Sequence, residues 1–407
     1  MRNKCIELSE VILDIAAGPF GSNLKKSCFQ EDGFPIIDGA NLKGFKLTDN
    51  ITKFVTEEKA RSLHRSIAKR NDVVVTISGT LGQISYIPED SEYEEYLCSQ
   101  RQFRVTFDTT KVYVPYLVFF FHTYEGQNKI LSFANQVGVP ALAQPLKNFR
   151  KIKIDLPEIE EQKKIANIIE LINNKIENNA AINNNLEQQA QVIYNHQTNN
   201  SPHKEPLSNF IKIKHGYAFK GEHISTDDNG VVLVTPGNFC IGGGFKENKC
   251  KFFTSDYLDD YVLKAGSLVV TMTDLSKEAD TLGYSALIPY SSQRIYLHNQ
   301  RIGLVEQTNT TIPLSYVYWY MRSYEYHMGI VGSASGSTVK HTSPGRILEQ
   351  LIPIPNEEDL ECNITVLDNI NASISRNNTE NIQLQMLRDT LLPKLMSGEL
   401  DVSNIDI

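Results

Sequence analysis

Side chains that could do chemistry are present in this chain, but not in arrangements that catalyse. It has nine histidines. His215 and His223 are eight positions apart, with no acidic or cysteine neighbour at the spacing of metal ligands. Cys5, Cys28, Cys98, Cys240, Cys250 and Cys362 form no C-x-x-C pair. That pattern fits free thiols in a reducing compartment and not a disulfide or zinc framework. The run Ile241-Gly-Gly-Gly-Phe245 is the one glycine-rich stretch. It lacks the preceding strand, following helix and downstream acid of a dinucleotide or methyl-donor site, so it reads as a hairpin turn. No Asn-Pro-Pro-Tyr motif, P-loop or H-E-x-x-H occurs. The residue types therefore predict a chain without catalysis of its own, and no metal site.

The elements that would position a recognition surface are written twice. Leu8-Ser9 matches Leu207-Ser208, and the turn at Gly18-Pro-Phe matches Gly216-Tyr-Ala-Phe. Gly33 to Asn41 lines up with Gly230 to Asn238, and Asp72 to Thr76 with Ser267 to Thr271. Leu81-Gly82 through Ile87-Pro88 matches Leu282-Gly283 through Ile288-Pro289. Gln100-Arg101 matches Gln300-Arg301, and Ile152 to Pro157 matches Gln350 to Pro355. Similarity at a fixed period signals a repeated architecture. Each half mixes short β-type runs such as Val73–Ile77 and Phe103–Phe107 with helical composition over Thr56–Arg70 and Tyr116–Thr123. The fold class is α/β (α+β), in two tandem pseudo-symmetric domains at 1–157 and 201–355. Each is followed by a long helical segment, at 158–200 and 356–407.

Those helical segments carry a heptad. Ile165, Ile169, Ile172, Ile176, Asn179, Asn183, Leu186, Ala190 and Ile193 alternate steps of four and three. A shift of 198 gives Asn363, Leu367, Ile370, Ile374, Asn377, Asn381, Leu384, Arg388 and Leu391. Such a seam predicts a coiled coil. Pro157 with Glu158, Glu160 and Glu161 marks one start, and Asn356 with Glu357, Glu358 and Asp359 the other. Pro393, with Gly398 after it, marks the stop. Each seam has two asparagines in its central layers, and a buried Asn sets register because it needs a polar partner. Antiparallel pairing sets Asn179 against Asn381 and Asn183 against Asn377. Parallel pairing also matches the Asn layers, but the antiparallel arrangement suits repeats related by a pseudo-two-fold axis. Ile165 to Ile193 spans roughly 42 Å at about 1.5 Å per residue, on the scale of one turn of DNA.

Composition limits the setting. Hydrophobic residues make up 41% of the 407 and charged residues 22%, which describes a folded soluble chain. The longest apolar run, near Val112–Phe121, is interrupted by Pro115 and too short to span a bilayer. Glu7, Glu10 and Asp14 break up any signal-peptide core, so the expected location is cytoplasmic, without a membrane. The net charge of −8 argues, as a sum, against a nucleic-acid partner. Its distribution weakens that argument. The four segments 1–155, 156–200, 201–355 and 356–407 carry +2, −3, 0 and −7. The acidic excess therefore lies in the helices and their ends.

Two variable α/β domains, each followed by a long helix, resemble the specificity subunit of type I restriction-modification systems. The junction Asp155-Leu-Pro-Glu-Ile-Glu-Glu-Gln162-Lys-Lys-Ile-Ala is similar to the family's domain-to-helix boundary. Leu391-Leu-Pro-Lys-Leu-Met-Ser-Gly-Glu-Leu400 is similar to its ending. The second junction, Pro355-Asn-Glu-Glu-Asp-Leu, departs from the Glu-Gln form. The resemblance spans essentially the whole chain. It implies two target-recognition domains, each reading one half of a bipartite double-stranded DNA target, with the helices setting the unread spacer. It also implies two methyltransferase subunits that use S-adenosylmethionine, and nuclease/translocase subunits, with no cofactor on this chain. Two other readings stand beside it. One is the specificity subunit of a system with nuclease and methyltransferase fused in one partner; the other is a coiled-coil scaffold that binds no DNA.

On that reading, base edges need donors and acceptors, and phosphates need Lys or Arg. Thr52–Arg70 is basic, and spacing would set Arg61, Arg65 and Lys69, with Lys59, on a helix facing phosphates. Ser78, Thr80 and Gln83 lie in a loop whose glycines permit close approach. The counterpart loop, with Thr273 and Lys277, is longer, where two readers of different sequences should differ. Asn23, Lys25 and Lys26, and their counterparts Lys220 and His223, follow the first turn of each domain. Arg101 and Arg301 are shared by both halves, which favours framework or phosphate contact over base reading. Val137-Gly-Val-Pro-Ala, and the loop ending in Lys340 and His341, complete the candidates.

Overall fold

The alternation of apolar runs with turn residues in each half resolves into closely similar sheets, the second sheet having four strands in the first half and five in the second. The computed structural model describes residues 4–135, 139–199, 201, 203–247, 250–276 and 278–402. The chain forms two compact units, 1–174 with 384–407, and 175–383. Each unit therefore contains one α/β domain and a part of both long helices.

In the first unit, Ile12–Ala17 pairs with Gln102–Phe107, which pairs with Val73–Thr76 and that with Ile84–Tyr86, all antiparallel. Val73, Val74 and Val75 are fully buried, as a continuous apolar strand between covered faces must be. A second sheet runs Phe54–Val55, Phe34–Ile37, Glu95–Cys98, Ile67–Lys69, with Phe34–Ile37 parallel to Glu95–Cys98. Lys4–Glu7 closes the domain against Lys153–Leu156. The second unit repeats this. Ile211–His215, Ile302–Gln307, Leu268–Thr271 and Ser285–Leu287 make the first sheet. In the second, Val231–Val234 is parallel to Ile295–His298. Lys204–Pro206 closes against Leu351–Pro353. The predicted repeat thus extends to strand order and direction.

Val114–Phe121 and Leu314–Tyr320 are the matching core helices. Every residue of the first is buried, so it is apolar on all sides and not amphipathic. The next helix in each half is capped alike: Thr123 Oγ1 accepts from Gly126 N at 3.1 Å, and Ser323 Oγ from Tyr326 N at 3.3 Å.

The long helices span Ile159–Asn199 and Glu357–Met396. The predicted seam of the first is buried or half-buried throughout: Ile165, Ile169, Ile172, Ile176, Asn179, Asn183, Leu186, Ala190 and Ile193. On the second, Leu367 and Ile370 are buried, while Ile374, Asn377, Asn381, Leu384, Arg388 and Leu391 are half-buried. The side chain of Asn363 lies outside the described residues. In the second unit Asn179 bonds Asn381 and Asn183 bonds Asn377. One number rises as the other falls, so these segments run antiparallel. In the first unit Asn173 meets Arg388 in the same sense. Leu392 and Leu395 join the core that holds Ile165 and Ile169.

Two expectations need correction. The second long helix does not stop at Pro393; it continues to Met396. Burial of Leu392 and Leu395 holds the last turn, and each such side chain contributes about 1.5–3 kcal/mol. Gly398, at φ +74°, lies just past the end, in the conformation that closes a helix. The helical reading of Thr56–Arg70 holds only for Glu57–Ser62. A 3₁₀ turn follows at His64–Ser66, and Ile67–Lys69 is a strand on Glu95–Cys98. Pairing that buries Ile67 and Ala68 overrides the local helical composition. Arg61, Arg65 and Lys69 therefore share no helix face.

Candidate nucleic-acid interface

In each unit some of the candidate residues gather at one backbone turn. In the first it is Ser99–Gln102, where Gln102 N donates to Ser99 O at 3.1 Å. Gly18 N donates to Gln102 O at 2.8 Å, and Ile77 N to Arg101 O at 2.6 Å. A Cβ on Gly18 would lie 1.8 Å from Ser99 O, so no other residue fits this approach. Gly79 N donates to Pro140 O at 3.0 Å, and Ser78 pairs with Ala141. The turn thus gathers the first loop, the Ser78–Gln83 loop and the segment at 139–142. Gln100, Arg101 and Thr80 are exposed there.

The second unit has the same construction. Ile302 N donates to Asn299 O, and Gln300 N to Tyr217 O at 2.9 Å. Met272 N donates to Arg301 O at 2.9 Å, and Thr342 N to Met272 O at 3.0 Å. Gly216 would place a Cβ 2.3 Å from Asn299 O, which marks it as the partner of Gly18. Arg301, Thr273, Lys340 and His341 are brought together by this turn and by the pairing of Thr273–Asp274 with Lys340–His341. The shared Gln-Arg dipeptides act as framework only through their backbones. The side chains of both pairs are exposed.

Other candidates divide by environment. Asn23, Lys25 and Lys26 are exposed on either side of buried Leu24, which anchors their loop among Phe34, Ile36, Val55 and Ala60. Arg61 pairs with Glu57 at 2.8 Å and also with Glu95, over the ring of Phe34. Lys69 pairs with the same Glu95 at 3.1 Å, so both cations are partly neutralised. Lys59 is half-buried. Arg65 is exposed, and its carbonyl is held at 3.1 Å by Nε of buried Arg104, which also binds Asp14 at 2.6 Å. That hydrogen bond and charge hold the Asp14 carboxyl below its usual range. Lys220 and His223 both face Glu222, at 3.9 and 3.5 Å.

Two candidates do not face outward as expected. Gln83 spends its amide on the framework: Oε1 accepts from Thr76 Oγ1 and Nε2 donates to Gly39 O, both at 3.0 Å. Thr273 is buried, its hydroxyl 3.2 Å from His341 Nδ1. Unbonded, such buried polar groups would be costly, and the interior has claimed them. Lys277, Val137 and Gly138 lie outside the described residues.

The longer second loop has a centre that the sequence reading missed. Asp274 accepts from Ser276 N at 2.7 Å, and from Thr281 N and Oγ1 at 2.6 and 2.8 Å. Burial pushes its carboxyl up, but these hydrogen bonds outweigh that and keep it below the usual range. An Asp bonding the backbone two residues on was the available signal. Arg322 was also missed. It is buried, and bonds Glu187 of the first long helix, Tyr318 and the carbonyl of Gly242, at 2.8, 2.8 and 2.9 Å. The glycine-rich run is a turn, as expected: Phe239 pairs with Phe245, and Gly242, Gly243 and Gly244 all have positive φ. Among the described residues there is no cluster that could hold a metal ion, and no helix long and apolar enough to cross a membrane.

Comparison with known proteins gives likenesses of three kinds: to a family model, to curated relatives and to a solved structure. A family model of the type I restriction modification DNA specificity domain matches residues 13–188. The chain is 20% identical over 372 residues to the type I restriction enzyme MjaIX specificity subunit of Methanocaldococcus jannaschii, covering 86% of this chain and 82% of that one. It is 24% identical over 291 residues to the MjaVIII specificity subunit of the same organism, covering 66% of each. In fold it is similar to the S subunit of a type I restriction-modification system from M. genitalium, with TM-score 0.58 at 14% identity, covering 96% and 95%.

Proposed function

We infer that this chain belongs to the specificity subunits of type I restriction-modification systems, and that it selects the DNA sequence on which such a system acts. The observation that carries this is the duplicated turn. Two α/β units each present an exposed arginine, Arg101 or Arg301, at the same backbone site, ringed by loops that differ in length and composition. Common phosphate contacts beside divergent reading loops are what a bipartite recognition subunit needs. Each unit reads one half of the target, and the paired helices set the unread spacer.

Catalysis belongs to the partners on this reading. Two methyltransferase subunits carry S-adenosylmethionine and modify adenine, and a nuclease/translocase joins them. The internal repeat supports two copies of one partner, because matching surfaces are present twice. Tyr124 and Tyr324 are both solvent-exposed immediately after matching caps. The domains are near neutral, so the chain alone binds DNA weakly and the partners add phosphate contacts. Free cysteines accord with a cytoplasmic setting.

The test is co-expression with the neighbouring methyltransferase, followed by mapping of adenine methylation. A split motif with a fixed spacer is expected; absent or context-free methylation overturns the reading. Matched heptad insertions in both helices should change the spacer, and an insertion in one helix alone should destroy assembly.

A further inference from the structure

Beside the Arg301 turn lies a cleft of about 280 Å³ walled by the rings of Tyr217, Phe219, Phe253, Tyr257 and Tyr261. Tyr217 is 46% exposed, and it is tied to the turn by its own backbone: Tyr217 N donates to His298 O at 2.8 Å, and Gln300 N returns to Tyr217 O. The rings brace one another, with Tyr217 5.1 Å from Tyr261 and 5.2 Å from Phe219, and Phe219 4.8 Å from Phe253. Lys220 and His223 also line it, and Lys214 lies over Tyr261 at 5.8 Å. The first domain does not repeat this set. Counting on from Gly18, it has Pro19 where the second has Tyr217, and Gly21 where the second has Phe219.

We propose that this cleft receives one unstacked nucleobase of the second half-target. The proposal rests on the DNA-reading function inferred above. A space of this size with aromatic walls suits a single flat ring system and cannot admit a base pair. A base leaves the duplex only if a pocket replaces its stacking, and aromatic side chains do so for any base. The ammonium groups of Lys220 and nearby Lys214 suit the backbone phosphate of that nucleotide. Glu222 and Asp256 offset them, so the rings supply the attraction and charge adds little. Continuity with Arg301 favours nucleic acid over a protein segment as the occupant.

The experiment uses the assembled complex with its methyltransferase, on duplexes carrying the motif mapped for the wild-type chain. Permanganate reactivity would locate unstacked thymines, and single mismatches placed along the second half would lower the cost of extruding a base. The expected result is one position in that half that is reactive and binds more tightly when mismatched. Tyr217→Ala and Tyr261→Leu should abolish both signals and weaken binding of that duplex about tenfold. Tyr217→Phe, which keeps the ring, should retain them. Retention of both signals in the alanine and leucine variants overturns the proposal, as does a uniformly stacked second half. Loss of partner assembly in those variants, with base stacking unaffected, also overturns it and assigns the cleft to a protein contact. Absence of any bipartite motif in the wild-type complex is a separate outcome, since it removes the DNA-reading function itself.

Discussion

Asn179 Nδ2 donates to Asn381 Oδ1 at 2.9 Å, and four residues along, Asn377 Nδ2 donates to Asn183 Oδ1 at 2.8 Å. Asn183 also donates to Asn378, and Asn179 to Glu380. The four asparagines therefore close two polar layers at the centre of the seam. Removing one partner leaves the half-buried Asn381 amide short of a hydrogen bond, so Asn179→Ala should cost about 1 kcal/mol in urea unfolding. Replacing all four with Leu or Ile should raise thermal stability instead, while hydrogen exchange reports a less defined helix register.

Arg322 predicts a larger effect. Its guanidinium lies 4.8 Å over the ring of Trp319, the only tryptophan, so tryptophan fluorescence reports directly on this contact. Arg322→Ala leaves Glu187 and the Gly242 carbonyl without a partner and should cost about 3–5 kcal/mol. Arg322→Lys should recover little, because an ammonium cannot reproduce the fork.

Two histidines predict a pH dependence. His122 Nε2 donates to Ile84 O and His298 Nε2 to Ile302 O, each at 2.8 Å. Burial pushes both imidazoles below the ordinary value of 6.5. Below that value the unfolded chain takes up protons that the folded chain refuses, so stability falls as pH drops from 7 toward 5. Glu170 is shifted up by burial and acts in the opposite sense. Gln at both histidine positions keeps a donor and cannot titrate. The double variant should show a flatter pH profile of Tm, and an unchanged slope would refute the assignment.

The proposed DNA-facing residues predict a division of labour. With the assembled complex, Arg101→Ala and Arg301→Ala should each weaken binding across sequences and reduce the salt slope by about one. Gln83→Ala should instead lower stability by about 1 kcal/mol, since its amide serves Thr76 and Gly39. A changed methylation motif with unchanged stability would return Gln83 to the readers.

Much of this was legible in one dimension. The offset near 200 residues identified two equivalent units, because repeated turns and apolar strands encode the same local folding twice. The heptad identified the seam and its asparagine layers, because helical periodicity requires no tertiary information. The duplicated Gln-Arg pair marked the turn on which each surface is built. Tertiary structure decided the rest. Residues 64–69 left the helix their composition favours because strand pairing buries Ile67 and Ala68. Pro393 failed to end the last helix because Leu392 and Leu395 are core residues. Gln83 and Thr273, polar and beside glycines or loops, looked like readers but are bonded inside. The aromatic cleft joins residues 217–219 to 253–261, and Arg322 joins an α/β domain to Glu187. No local pattern encodes such contacts, since they exist only after distant segments have been brought together by burial of their shared core.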